Sequence, residues 1–567
     1  MQRPARLSAL PAAVAVLIAI AIVAAAGPAV AQQPQLSDFG PVSFPNSGSA
    51  AAQEPFLRAL GALHDFEWDT AADNFRKAQR IDPNFAMAYW GEAMSHNDGI
   101  HFQQNTEAGR AALNKLAPTL EGRLAKCGTE RERDYMRAIE ALYNGPATKN
   151  ERDFKYSAAM GALFQKYPED VDAGALYALS LLSTAHRGRD FPIFMRSLAV
   201  LQPLFFAHPN HPGVDHYLIH SVDDPIHAPL GLLAARNYSK VALKAPHAQH
   251  MTSHIFVAMG LWDDVVAANV IASAVLNEQN AQKGRPATVC GHYNLWLEYG
   301  HLQQGRFQDA MKDLGACRAA ALGFARAPAS EANASMPMPM PMSVSMPAMS
   351  PANLRGLLGA YAQMRTRYLL DTGDWNGEVA KWTLPEGADA GVRLSFGFAD
   401  GYGAVRRGDL KAARQALESI SSADMSGGAR GVGTGAATAA SYAGRAAILQ
   451  QELQAMIAAA EGKRDEAITL LRKAAESESA MPFEYGPPFI DKPTEELLGE
   501  ALLEAQRPKE AREAFERALV RTPQRTQSLL GLVRAAKAAG DNVAAQEAVA
   551  KLRSIWHRAD AIPQELR

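Results

Sequence analysis

Apolar side chains along this chain recur every three or four residues rather than every second one. Ala71, Phe75 and Ala78 stand four and three apart, and Ala511, Phe515 and Ala518 repeat that interval. At about 100° per residue, these positions share one helical face. Few segments alternate with the period of two that half-buried strands require. Five residues after each set stands a proline, Pro83 and Pro523. Proline stops a helix because it lacks an N–H and clashes with the preceding turn. Gly499 precedes Ala511 by twelve residues, at the place where a small residue lets two antiparallel helices approach. The pattern predicts an all-α chain of helical hairpins.

The interval from Ala71 through Phe75 and Ala78 to Pro83, repeated from Ala511 to Pro523, resembles the tetratricopeptide (TPR) repeat, a helix-turn-helix unit of 34 residues. The resemblance implies a TPR-like α-solenoid. Weaker copies keep a turn glycine and a small residue five positions later: Gly305/Ala310, Gly408/Ala413, Gly462/Ala467, Gly540/Ala545 and, more loosely, Gly260/Val265. The step from Ala511 to Ala545 is one repeat. The step from Ala467 to Ala511 is ten residues longer, so Pro482 to Pro493 reads as an insertion. Residues 327–352 are rich in Ala, Ser, Pro and Met and read as a linker, with Ser426 to Gly435 as a second soft loop. The expected organisation is a flexible lead-in at 32–52, an N-terminal solenoid at 53–326 and a C-terminal one at 353–567.

Length agrees with an array. At 567 residues the chain exceeds the roughly 250–300 residues at which single cores stop growing. Charge excludes one partner class: 57 Lys and Arg against 59 Asp and Glu leave no basic surplus for nucleic acid. The N-terminus adds an address. Arg3 and Arg6 precede the apolar stretch Ala12 to Ala26, and Ala29-Val30-Ala31 offers a small-x-small cleavage site. A signal peptide at 1–31 is expected, with a periplasmic or secreted mature protein. No later stretch approaches the ~18 apolar residues of a membrane span. Of three cysteines, Cys290 and Cys317 fall on two arms of a hairpin, where a bridge and buried free thiols are both open. Cys127 is left over.

Histidine changes the picture most. Of 15 histidines, eight lie between His208 and His254: His208, His211, His216, His220, His227, His247, His250 and His254. His216 and His220 are four apart, as are His250 and His254, so each pair shares a helical face. The pairs are one repeat apart, on neighbouring first helices. His247 joins the second pair. Counting back 18 residues from Val265 and from Ala310 reaches His247 and His292, equivalent positions that in TPR proteins line the concave groove.

Neutral imidazoles are ligands for Zn, Cu, Ni or Fe, and paired histidines on adjacent helices supply three or four of them. The candidate metal set is His216, His220, His247, His250, His254 and His292, with Asp215, Asp223 and Asp224 near enough in sequence to orient them. The alternative is a groove for a protein or peptide, lined by Trp90, His247, His250, His254 and Tyr299. The runs HPGVDHYLIHSVDD (211–224) and HAQHMTSHIFVAMGLWDD (247–264) resemble those of a group of exported bacterial TPR proteins with HxxHMPSHIF-type segments. Here Thr252 replaces the proline. The resemblance implies a fold and no activity.

Met336, Met338, Met340 and Met342, with Met346 and Met349, place thioethers along the linker. Such soft ligands favour Cu(I), and a low-complexity linker is the plainer reading. The H-E-x-x-H, G-x-S-x-G and Walker patterns are absent. Asp263, Asp264, Glu495 and Glu496 read as first-turn carboxylates, and Trp90, Trp262 and Trp296 as core. Three functions remain in order: an exported scaffold binding a partner in its groove, a copper- or zinc-handling protein, and a metal-dependent hydrolase lacking an obvious glutamate base.

Overall fold

Glycine marks the hairpin turns. Gly260, Gly305, Gly408, Gly462 and Gly540 all adopt φ between +68° and +84°, the left-handed region that ends a helix at no steric cost only for glycine. Gln506 takes the same conformation at φ 58° in the hairpin that lacks one. The residues five positions on, Val265, Ala310, Ala413, Ala467 and Ala545, are all buried between helices. A methyl at Gly91 or Gly531 would overlap the ring of Phe75 or Phe515, and at Gly499 it would stand 2.7 Å from Phe515. These are the close approaches that the repeated spacing demands.

The computed structural model describes residues 38–144, 148–325, 351–385, 388–422, 439–563 and 566. Among the described residues there are twenty-four α-helices and one short hairpin, Asn97–Asp98 paired with Gln103–Gln104. Each helix packs on its sequence neighbours, which makes the protein an all-α TPR-like solenoid of helical hairpins. No described helix is long and apolar enough to cross a membrane. The expected signal peptide, the Met336–Met349 tract and the Ser426–Gly435 loop lie outside the described residues.

The lead-in expectation needs correction. Residues 38–49 are packed: Phe39 and Phe44 are buried, and the Phe44 ring lies 5.9 Å from Trp90 with the Arg131 guanidinium 4.1 Å over it. The first helix, Ala50–His64, starts before residue 53. Two aromatic rings supply the burial that a polar lead-in would lack.

Within Leu36–Arg567 the helices after the linker lie back against those before it. Trp262 Nε1 donates to the Gln524 carbonyl at 3.0 Å, and Trp556 Nε1 to the Gln303 carbonyl at 2.8 Å. Between these contacts Arg525, 1% exposed, holds Asp371 at 2.5 Å and Glu496 at 2.9 Å. A fully buried guanidinium needs such paired carboxylates. Cys290 and Cys317 form a disulfide, and Cys127 is free and buried.

Candidate metal centre

Three helices and one loop converge on the histidine-rich region. Helix Pro212–Val222 carries His216 and His220, and helix Pro246–Met259 carries His247, His250 and His254. His292 begins helix His292–Gln303. Pro212 and Pro246 each open their helix, where proline's fixed φ is pre-organised. Thr252 sits mid-helix and donates its hydroxyl to the Gln249 carbonyl at 2.9 Å.

All six predicted metal ligands meet. His216, His220 and His247 bring one ring nitrogen each within 4.8 Å of the others, and so do His250, His254 and His292. The His216 and His247 Nε2 atoms are 3.2 Å apart. His250 Nε2 lies 3.2 Å from His254 Nε2 and 2.7 Å from His292 Nε2. His216, His220, His250 and His254 are buried, while His247 and His292 are half-buried and form the mouth.

The opposite ring nitrogens decide which atoms carry protons. His216 Nδ1 donates to the His64 carbonyl at 2.6 Å. His250 Nδ1 donates to Asn269 Oδ1 at 2.7 Å, because Asn269 Nδ2 is itself occupied with the Val265 carbonyl. His220 and His254 Nδ1 both donate to Asp223 Oδ2, at 3.3 and 3.0 Å. In a neutral ring one nitrogen donates and the other accepts, so these four Nε2 atoms present lone pairs inward. Carboxylates and carbonyls behind metal-binding histidines orient ligands in this way.

Electrostatics keep five of the rings neutral. Burial, then the neighbouring imidazoles, hold His216, His247 and His250 well below the usual imidazole range. Burial lowers His254 to about 4 and His292 to about 3. Burial alone would raise Asp223, but Arg189 and the two imidazoles outweigh it and keep the carboxylate ionised. His220 Nε2 has no hydrogen-bond partner and lines a small cavity with Arg189, Phe483 and Tyr485.

Aromatic rings wall the cluster. Phe66 faces His216 at 4.3 Å and stacks toward His220 and His247. Trp296 lies 4.7 Å from both His250 and His254. Tyr485 covers His254 at 4.6 Å and His220 at 6.0 Å, and its hydroxyl is 3.1 Å from His101 Nε2. Tyr485 comes from the connection between helices Arg464–Ser479 and Thr494–Glu504, the insertion read from the repeat spacing. A C-terminal insertion therefore caps an N-terminal site.

Other sequence expectations fall elsewhere. Trp90 and Tyr299 do not line an open groove: they are 0% and 1% exposed. Trp90 packs on Phe44 and Tyr135, and Tyr299 on Trp262, because large rings gain most by leaving water. His250 and His254 are likewise closed to a partner's side chains. Asp215 accepts from Asn237 rather than from a site histidine, and Asp224 accepts from His227. His211 caps its helix through Val214 N–H. Its other nitrogen lies 3.4 Å from Asp172, which also bonds His64 at 2.8 Å. There Asp172 holds His64 by a hydrogen bond, while His211 Nε2 is left without a hydrogen-bond partner.

Sequence reasoning passed over Phe66, Tyr485, Asn269, His101 and Glu67. Glu67 stands at the mouth, its Oε1 accepting from His247 N at 3.3 Å, and burial raises its carboxyl to about 7. A Phe-Glu-Trp turn between two helices carries no chemical signature, so only the packing exposes it.

No protein-family model and no curated protein matches the sequence. Among solved structures, the chain is similar to the Cut9–Hcn1 assembly of the APC/C, with 10% identity over 93% of this chain and 79% of that chain and a TM-score of 0.31. It is also similar to yeast Tom70, with 11% identity over 90% of this chain and 92% of that chain and a TM-score of 0.30. The human IFIT1 dimer gives 10% identity, 92% and 92% coverage and a TM-score of 0.30.

Proposed function

We propose that this protein is an exported metal-handling protein that binds a late first-row transition metal, copper or zinc, in its buried histidine centre. One observation carries the reading. His250 and His254 have their protons committed on Nδ1, yet their Nε2 lone pairs face each other at 3.2 Å. Two lone pairs at that distance repel unless a cation lies between them, and burial keeps both rings from protonating. All-imidazole donors suit copper and zinc and not calcium or magnesium, which take oxygen ligands. Export rests on the pattern at Arg3 to Ala31.

The partner-binding scaffold draws on the repeat architecture, and its groove anchors Trp90 and Tyr299 are buried. The Met-rich tract is an auxiliary Cu(I) collector under the metal reading. The test is calorimetric titration of the metal-stripped protein with Zn(II), Cu(II) and Cu(I), beside His250→Ala/His254→Ala and a deletion of Met336–Met349. Tight stoichiometric binding, lost in the histidine variant, is the expected result. Binding no tighter than about micromolar for every metal would overturn the reading.

A further inference from the structure

We infer that the centre holds two metal ions side by side, one in each histidine triad, with a small anion shared between them. The inference rests on the metal reading above and adds its stoichiometry and its exogenous ligand.

Six imidazoles exceed what one ion takes, since zinc is held by about four ligands and leaves the others unsatisfied. The six fall into His216/His220/His247 and His250/His254/His292, and His220 and His254 also come together with Asp223. Tetrahedral coordination at the usual metal–nitrogen bond length places neighbouring nitrogens about 3.3 Å apart. One 3.2 Å separation in each triad, His216–His247 and His250–His254, matches that spacing, and the 2.7 Å His250–His292 separation opens slightly to reach it.

Each triad is a complete unit. Each combines two buried rings with one half-buried ring, His247 or His292, at the start of its helix. Each has its own aromatic wall, Phe66 for the first and Trp296 for the second. The triads are nonetheless adjacent, with the His220 and His254 rings 5.6 Å apart and those of His247 and His250 6.3 Å apart. Asp223 Oδ2 straddles them, accepting from one histidine of each.

Charge completes the argument. Imidazole ligands bring no negative charge to an ion, and the Asp223 carboxylate is already ion-paired to Arg189. Glu67 stands behind the His247 backbone rather than between the triads. Two divalent ions would leave a buried positive surplus, and burying uncompensated charge is costly. A hydroxide-sized anion bridging the ions offsets part of that surplus, and azide is its experimental stand-in.

The test counts ions in the full-length protein. Metal-stripped wild type, His247→Ala and His292→Ala are saturated with Cu(II) or Zn(II), desalted and assayed for metal per chain, with circular dichroism confirming the fold. Both substitutions lie at the half-buried mouth, where truncation perturbs packing least. The expected result is two ions in the wild type and one in each variant. The Cu(II) wild type should show far less paramagnetic signal than two ions give, each variant one full signal, and azide a charge-transfer band in the wild type. One ion in the wild type, lost in both variants, would overturn the pair and leave the metal reading standing. No ion would overturn both. Two ions with full independent signals and no azide response would overturn the shared anion.

Discussion

The ring of Tyr485 lies 4.6 Å from that of His254, although the two lie far apart along the chain. Tyr485 reaches the centre because the Ala480–Pro493 connection folds over it. Neighbouring Gly486, at φ 96°, lies so close to the Trp296 indole that a Cβ there would collide with it. This contact between distant segments covers His254 and Trp296.

Gly486→Ala should therefore loosen the cap. A methyl group pressed into a filled core, at a φ that L-residues avoid, costs about 1–3 kcal/mol. Urea unfolding should show that loss, and a chelator should withdraw bound metal faster than from the wild type. Unchanged chelation kinetics would mean that the cap does not limit access.

The disulfide should act on one triad more than on the other. Cys290 stands two residues before His292 and is tied to Cys317 in helix Phe307–Ala325. Closing a loop of this length contributes roughly 2–4 kcal/mol. Cys290→Ser/Cys317→Ser should lower the melting temperature and weaken the ion at His250/His254/His292, leaving that at His216/His220/His247 in place. Equal affinity in the double variant would show that the helix holds His292 unaided.

Acid should destabilise the metal-free protein. His254 titrates at about 4 when folded and near 6.5 when unfolded. The unfolded chain thus binds more protons below that value, so stability present above about pH 6.5 is lost as pH falls toward 4. Each such histidine adds a slope of about 1.4 kcal/mol per pH unit. Melts from pH 7.5 to 4.5 should show the decline, and His254→Gln should flatten it. Bound metal should leave in the same window, since protons compete for Nε2.

The hairpins were legible because their cause is local. Gly305 and Gly540 turn where only a left-handed residue fits, and Ala310 and Ala545 are small because two helices touch there. The histidine pairs were legible for the same reason, since the angle between positions 216 and 220, or 250 and 254, follows from helical geometry alone. Tyr299 misled because an aromatic ring has the same one-letter signature in a groove and in a core, and of the two readings of Trp90 its burial agrees with the core. Residues 38–49 misled because burial of Phe39 and Phe44 depends on helices far along the chain.

The sequence by itself determined the helical hairpins, the turns between them and the two histidine pairs on their helix faces. Only the tertiary structure decided that six imidazoles converge, that they split into two triads sharing Asp223, and that Phe66, Trp296 and Tyr485 close around them. The physical reason is range. Helical phase is a property of a few consecutive residues, whereas a lone pair's direction depends on what holds the other side of the ring. For His216 that is the His64 carbonyl, and for His250 it is Asn269, partners that meet them only when the solenoid has packed.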